Sequence, residues 1–137
     1  MNSRPISAIV LTLLFSMPTL AGCSLFDPQR NLTLHDVVNS EHDGPDVTTQ
    51  AEDISETACA SPLDCVEAYS TAEANYFRFE SRKSAEEYGS TVKDGFVVNY
   101  IVMDFAGKDA PVEKQLWAMQ GLAGTWNDYE GDFPDRR

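Results

Sequence analysis

The sequence predicts one small α+β domain, in which a sheet of about three strands packs against two or three helices. Two observations predict this fold class. Apolar residues recur at helical spacing in several segments, and short runs of aromatic or β-branched residues lie between them. The chain has 137 residues, which is enough for one hydrophobic core. We expect the domain to cover residues 46–137.

The elements are expected in the order helix, strand, strand, helix, strand, helix. Helical spacing predicts a short first helix over residues 47–56. Two short aromatic or β-branched runs predict strands over residues 65–71 and 74–79, which would pair as a hairpin. A second helix is predicted over residues 81–93, and Ser81 is its expected N-cap.

The run from Phe96 to Phe105 is apolar in both alternating sets of residues, which predicts one central strand covered on both faces. A last helix is expected to begin at Asp109 or Ala110 and to end at Gly121–Gly124. Gly89 lies inside the second helix, where glycine costs about 1 kcal/mol relative to alanine, so we expect a packing reason for it.

The first 22 residues have the pattern of a secretory signal peptide, with a positive charge at Arg4 before an apolar run that continues to Leu20. The run is about 15 residues long and contains Pro18, whereas a membrane-spanning helix needs about 20 apolar residues. We therefore expect the leader to be removed rather than to remain as a membrane span.

The leader ends in Leu20-Ala21-Gly22-Cys23, which resembles the lipobox of bacterial lipoproteins. The resemblance implies cleavage before Cys23, diacylation of its thiol and anchoring on the extracytoplasmic side of the cell membrane. Two acyl chains give stable anchoring where a single chain does not. The alternative is an ordinary secreted protein with a chance cysteine, because small residues precede both kinds of cleavage site.

Charge and spacing indicate how the domain is presented. The formal net charge is −12, which argues against nucleic acid as a partner and against an electrostatic membrane contact in addition to the lipid. Residues 23–45 are acidic and lack sustained periodicity, so they are predicted to form a flexible tether of roughly 25 Å. The alternative is that the segment from Leu32 to Val38 docks its apolar side chains on the domain.

Cys59 and Cys65 are predicted to form a disulfide. With Cys23 lipidated they remain as a pair outside the cytoplasm, where disulfides persist. A redox-active pair or a metal site is the alternative, but the C-x-x-C spacing and additional cysteine or histidine ligands are missing from the sequence around them.

In the exported region, Cys65–Tyr69 is followed by Tyr76–Phe79 and a predicted helix, and then by an apolar strand that ends in Asp104. In this pattern the region is similar to small actinobacterial lipoproteins whose activity is not established. The resemblance implies no catalytic residue.

The sequence lacks a nucleophile elbow and a free cysteine paired with a histidine of the domain, so we predict neither an enzyme nor a cofactor. The alternative is a cell-envelope hydrolase with carboxylate chemistry at Asp104 and Asp109. Strand termination and helix capping are the favoured roles of those two residues.

The two histidines lie in the predicted tether among carboxylates, a set that could capture a divalent cation. Flexible surroundings preorganise such a site poorly and the spacing follows no known metal-binding loop, so no specific metal site is predicted. The residues concerned are His35, Asp36, Glu41, His42, Asp43 and Asp46.

Four aromatic residues near the C-terminus are the candidate contact site for an envelope protein or a glycan: Trp117, Trp126, Tyr129 and Phe133. An exposed group of such rings can dock a partner protein or stack on a sugar. The competing interpretation, which small domains favour, is that the rings seal the open edge of the sheet. The sequence thus predicts a membrane-anchored interaction domain whose ligand it does not name.

Overall fold

In a computed structural model the protein is α+β, and the structure describes residues 28–40, 46–124, 131 and 133–134. Its strands are β1 (Glu52–Asp53), β2 (Glu67–Ser70), β3 (Asn75–Arg78), β4 (Gly95–Val98) and β5 (Ile101–Asp104). Its helices in these residues are α1 (Leu34–Asn39), α2 (Ser55–Ala58), α3 (Arg82–Gly89) and α4 (Val112–Gly124). The strands form one antiparallel sheet in the order β1-β2-β3-β5-β4.

The sheet is covered on both faces, because alternate side chains of each strand project to opposite sides. On one face, Tyr76 of β3 and Met103 of β5 pack in a core with side chains of α1 and α4. On the other face, Phe77 and Val102 pack with side chains of α2, α3 and the disulfide loop. This two-sided burial agrees with the expectation for the apolar run 96–105.

The prediction of a single strand over residues 96–105 is wrong, because this run folds back on itself as the hairpin of β4 and β5. Val98 pairs with Ile101, which leaves Asn99 and Tyr100 as the turn. Asn99 has a φ of 53°, in the left-handed region that asparagine tolerates better than most residues. Tyr100 is buried, so the chain reverses direction at this turn while the run of buried side chains continues through it.

The predicted helix over residues 47–56 is wrong for most of its length. Strand β1 pairs with β2 in this segment, and only α2 is helical. Gln50 has a φ of 55°, which is incompatible with a continuous helix. The Asp53 carboxylate accepts hydrogen bonds from the N–H (2.9 Å) and the hydroxyl (2.6 Å) of Ser55, so the helix starts there. This strand and the split run raise the strand count from about three to five.

Helix α3 begins as predicted and ends earlier. The Ser81 hydroxyl accepts a hydrogen bond from the Ser84 N–H at 3.0 Å, which confirms the N-cap. The helix ends at Gly89 rather than at Lys93. A Cβ atom at position 89 would collide with the Val97 side chain. The expected packing reason for this glycine is therefore close contact between α3 and the sheet.

The predicted disulfide between Cys59 and Cys65 is confirmed, with a Cα–Cα distance of 4.7 Å. Cys65 is buried in the core on the α3 face, and Ala58 of α2 and Leu63 of the enclosed loop pack against the same cluster. By the chain-entropy model, a loop this short stabilises the fold by about 2 kcal/mol. The bond thus holds α2 against the start of β2.

Residues 28–39 belong to the folded domain, so the prediction of a flexible tether is wrong for this stretch. A short 3-10 turn is followed by α1, in which Leu34 is fully buried and Val37 is 6% exposed. The structure therefore agrees with the alternative interpretation, in which the segment from Leu32 to Val38 docks its apolar side chains on the domain. We call residues 28–39 the N-terminal strap. Ser40, which follows the strap, is described and exposed. The rest of the predicted tether, residues 23–27 and 41–45, lies outside the described residues.

Candidate functional site

Trp117 lies on the outer side of α4 and is 45% exposed. Its neighbours one turn before and after are Glu113 and Gln120, which are also exposed. The Trp117 ring therefore does not close the hydrophobic core between α4 and the sheet. The inner side of the same helix consists of buried residues, namely Gln115, Ala118, Met119, Leu122 and Ala123.

Phe133 behaves differently from Trp117. Its ring stacks on Phe96 of the edge strand β4, with centroids 5.5 Å apart, and is 41% exposed. Phe133 thus covers the open edge of the sheet, which is the role that the competing interpretation gave to all four aromatic residues. The predicted group therefore divides, because Phe133 covers part of the sheet while Trp117 faces solvent. Trp126 and Tyr129 lie outside the described residues.

Two paired residues of the sheet hold the N-terminal strap. Glu67 of β2 lies opposite Arg78 of β3, and Glu67 Oε2 accepts a hydrogen bond from the Leu34 N–H at 3.0 Å. Arg78 Nη1 lies 3.4 Å from the same carboxylate oxygen, and Arg78 Nη2 donates to the Arg30 backbone oxygen at 2.7 Å. These contacts fix the place where the strap meets the domain, beside the end of β3.

A buried carboxylate, Glu73, fixes the turn between β2 and β3. Its side chain is 1% exposed, and its two oxygens accept hydrogen bonds from the Thr49 hydroxyl (2.6 Å) and the Thr49 N–H (3.0 Å). Lys108 Nζ donates to the Thr71 backbone oxygen at 2.6 Å and to the Ser70 hydroxyl at 2.9 Å. The sequence around these residues gives no signal for this role, because a Glu in a polar turn is ordinarily a solvated one.

The surroundings of this turn shift the pKa values of two groups. Burial lowers the pKa of the Lys108 amine, and the negative charges of Glu73 and Asp104 oppose that shift. Burial, followed by the charge of Glu73, raises the pKa of the Tyr76 phenol. Because burial is the largest cause of both shifts and the Glu73 carboxylate is hydrogen-bonded to Thr49 within the fold, the cluster is best explained as a structural one.

The carboxylates considered for a hydrolase have ordinary structural surroundings. Asp104 Oδ1 accepts a hydrogen bond from the Ala106 N–H at 2.9 Å, which forms the turn that ends β5. Asp109 is exposed beyond that turn. The geometry of these two residues favours strand termination over acid–base catalysis.

The residues considered for cation capture are only partly described. His35 Nδ1 lies 3.8 Å from Asp36 Oδ1, and Asp36 Oδ2 accepts a hydrogen bond from the Thr33 hydroxyl at 2.7 Å. That hydrogen bond is the main cause that lowers the pKa of Asp36. The described residues contain no group of three or more His, Cys, Asp or Glu side chains that could hold a metal ion. Three members of the predicted set lie outside them: Glu41, His42 and Asp43.

Comparison of the chain with protein-family models, with curated proteins and with solved structures gave no match. In the part of the chain that the structure describes, none of the helices combines the length and the apolar character needed to cross a membrane. The leader and Cys23 lie outside that part, so lipidation stays a prediction from the sequence.

Proposed function

We propose that the protein is a lipoprotein anchored by Cys23 on the extracytoplasmic side of the cell membrane, and that its domain binds a protein of the cell envelope through Trp117. The observation that carries the binding part is the 45% exposure of Trp117 on a helix whose opposite side forms the core. The anchor is supported by the leader and by the lipobox at residues 20–23.

An exposed tryptophan in the middle of a well-packed helix is typical of a contact residue. Its ring combines a large rigid apolar surface with one N–H donor, and tryptophan is enriched among the residues that dominate binding energies. A protein partner is favoured over a sugar because the outer side of a helix is convex, whereas small ligands bind in concave sites. Grooves on partner proteins commonly receive one side of a helix.

The anchor is tested by the substitution Cys23→Ala. We expect it to abolish incorporation of radioactive fatty acid and to release the protein from the membrane fraction, because the thiol is the acceptor for the lipid. The neighbouring substitution Ser24→Ala is the control and should retain the label. Labelling that persists in Cys23→Ala would show that another residue carries the lipid, or that the label is not a lipoprotein modification.

The contact site is tested by Trp117→Ala in the intact envelope, with in-cell crosslinking as the readout. Truncation of a tryptophan at the centre of an interface weakens binding by about 2 kcal/mol or more, which is roughly 30-fold in affinity. We therefore expect the crosslinked complex to be lost. The stability of the free domain should change by less than about 0.5 kcal/mol, because the substitution is on the surface.

Val112→Ala is the matched control, because Val112 is also an apolar residue of α4 and is also 45% exposed. Five residues along a helix correspond to a rotation of roughly 140°, so this side chain points away from the Trp117 side. We expect the complex to survive in this variant. If Trp117→Ala leaves the complex unchanged while the protein stays folded, the contact site is wrong. If the crosslinked partner is a glycan rather than a protein, the proposed partner class is wrong.

A further inference from the structure

The folded strap limits the distance between the domain and the lipid, provided that Cys23 is lipidated as proposed above. The strap begins at Pro28, five Cα–Cα steps after Cys23. Five steps span at most about 18 Å in any conformation. The headgroup layer of one leaflet takes up about 5–8 Å. The start of the strap therefore stays within roughly 10 Å of the headgroups, instead of standing clear of them on a long tether.

The contacts of the strap also determine which end of the domain is near the lipid. The hydrogen bond from Arg78 to the Arg30 backbone places the start of the strap at the end of β3. The turn between β4 and β5 lies at the same end, because the Phe79 N–H donates to the Tyr100 backbone oxygen at 2.8 Å. Helix α3 begins there too. We call residues 28–31, 78–83 and 99–100 the strap end.

The opposite end of the sheet consists of the β2–β3 turn, the start of β4 and the loop after β5. Strand register places these segments together, since Asn75 and Gly95 both pair with Asp104, and Lys108 donates to the Thr71 backbone oxygen. We call residues 71–75, 94–95 and 104–109 the turn end.

The two ends differ in charge. Arg30, Arg82 and Lys83 are exposed at the strap end, and the Arg82 guanidinium lies over the Tyr100 ring, 5.6 Å from its centroid. The carboxylate of Glu67 is engaged there by Arg78 and by the strap. Glu80 is the exposed carboxylate among these residues. Asp64 is exposed beside them, in the loop that leads to Val66, whose N–H donates to the Arg78 backbone oxygen at 2.7 Å. Lys83 also lies 3.4 Å from Glu87 Oε1, with side chains 83% and 66% exposed, and such a pair contributes little and exchanges partners readily.

The turn end carries carboxylates at Asp94, Asp104 and Asp109. Its cation, Lys108, donates its hydrogen bonds to Ser70 and Thr71 within the fold. Phosphate groups form charge-assisted hydrogen bonds with guanidinium and ammonium groups, and basic side chains near an anionic bilayer strengthen membrane binding. Carboxylates are repelled by the same surface. A difference of charge between the ends therefore orients the domain, even though the whole chain has a net charge of −12.

We propose that the strap end of the domain lies against the membrane and contacts phospholipid phosphates through Arg30, Arg82 and Lys83, so that the turn end faces away from the bilayer. This arrangement replaces the expectation of a stand-off tether. It also replaces the expectation that no electrostatic contact accompanies the lipid.

The orientation is tested with the acylated protein, purified from membranes and reconstituted into vesicles of phosphatidylcholine and phosphatidylglycerol. A fluorescent label is attached at Glu80→Cys or at Asp109→Cys, two exposed acidic positions at opposite ends of the domain. The quencher is a phospholipid with a spin label on its headgroup. We expect several-fold stronger quenching at position 80 than at position 109, and equal or reversed quenching would overturn the orientation.

Mass spectrometry of the same preparation separates this inference from the function on which it rests. A missing lipid on Cys23 would overturn the proposed anchor. A lipidated protein with equal quenching at both positions would overturn the orientation alone.

The phosphate contact is tested by charge reversal at two exposed residues of the strap end, Arg30→Glu with Lys83→Glu. The control reverses the same number of charges at two exposed residues elsewhere, Lys93→Glu with Lys114→Glu. We expect the first pair to reduce quenching at position 80 several-fold and the control pair to leave it unchanged. Equal effects of the two pairs would attribute the contact to net charge and overturn the role of the strap end.

Discussion

The substitution Leu34→Ala is expected to lower the free energy of unfolding by about 3 kcal/mol, the usual cost of truncating a buried leucine. Leu34 is fully buried, and it packs in the core cluster that also contains Tyr76 and Met119. A residue in a flexible tether would tolerate the same change. Urea denaturation of the non-lipidated mature chain, followed by circular dichroism, measures the effect.

His35→Ala is the matched control, because His35 is the next residue of the same helix and is exposed. Its effect is expected to stay within about 0.5 kcal/mol. If both substitutions have equally small effects, the strap is not docked on the sheet. The short connection to Cys23 would then be lost, and with it the reason for the membrane orientation, whereas the proposed lipidation would be unaffected.

The features that the sequence predicted correctly depend on residues close together in the chain. Ser81 caps α3 through a contact three residues away, and Cys59 and Cys65 are separated by six positions. The hairpin of β2 and β3 likewise joins neighbouring segments. Local chemistry is sufficient in each case, because the contact is formed within one turn or one loop.

The strap could not be predicted in the same way, because its docking depends on residues far along the chain. Leu34 is 33 positions from Glu67, and Arg30 is 48 positions from Arg78. The few apolar residues of α1 give a helical pattern too short to stand out among acidic neighbours. The contacts of Glu67 and Arg78 with the strap also depend on the β2–β3 register, which places these two charged side chains opposite each other.

The orientation of α4 was predicted in part. The helical spacing of four apolar residues predicted that they share one face: Val112, Leu116, Met119 and Ala123. Met119 and Ala123 are buried, but Val112 is 45% exposed. Trp117 is not one of these four residues. The tendency of aromatic residues to complete small cores favoured a sealing role for this ring, and the 45% exposure of Trp117 contradicts that interpretation for this residue.

The substitution Glu73→Gln is expected to lower the free energy of unfolding by about 2–3 kcal/mol. Glutamine has nearly the same size as glutamate. Its amide nitrogen, however, would face either the N–H or the hydroxyl of Thr49, both of which now donate hydrogen bonds to the Glu73 carboxylate. The variant also removes the negative charge that acts on the half-buried Lys108. Glu113→Gln is the control, because it removes one charge at an exposed position and should change the stability by less than about 0.5 kcal/mol.

The pH dependence of this effect separates charge from hydrogen bonding. Burial lowers the pKa of Lys108 below its ordinary value of 10.5, and Glu73 opposes the shift, so the variant lowers that pKa further. With a lowered lysine pKa the unfolded chain binds more protons than the folded chain, and stability rises with pH over that range. The deficit of Glu73→Gln should therefore be smaller at about pH 9.5 than at about pH 7, as measured by urea denaturation at both values. If Glu73→Gln loses the same stability at both pH values, the loss comes from the Thr49 hydrogen bonds. That result would contradict a role for the charge of Glu73 in holding Lys108 at the turn.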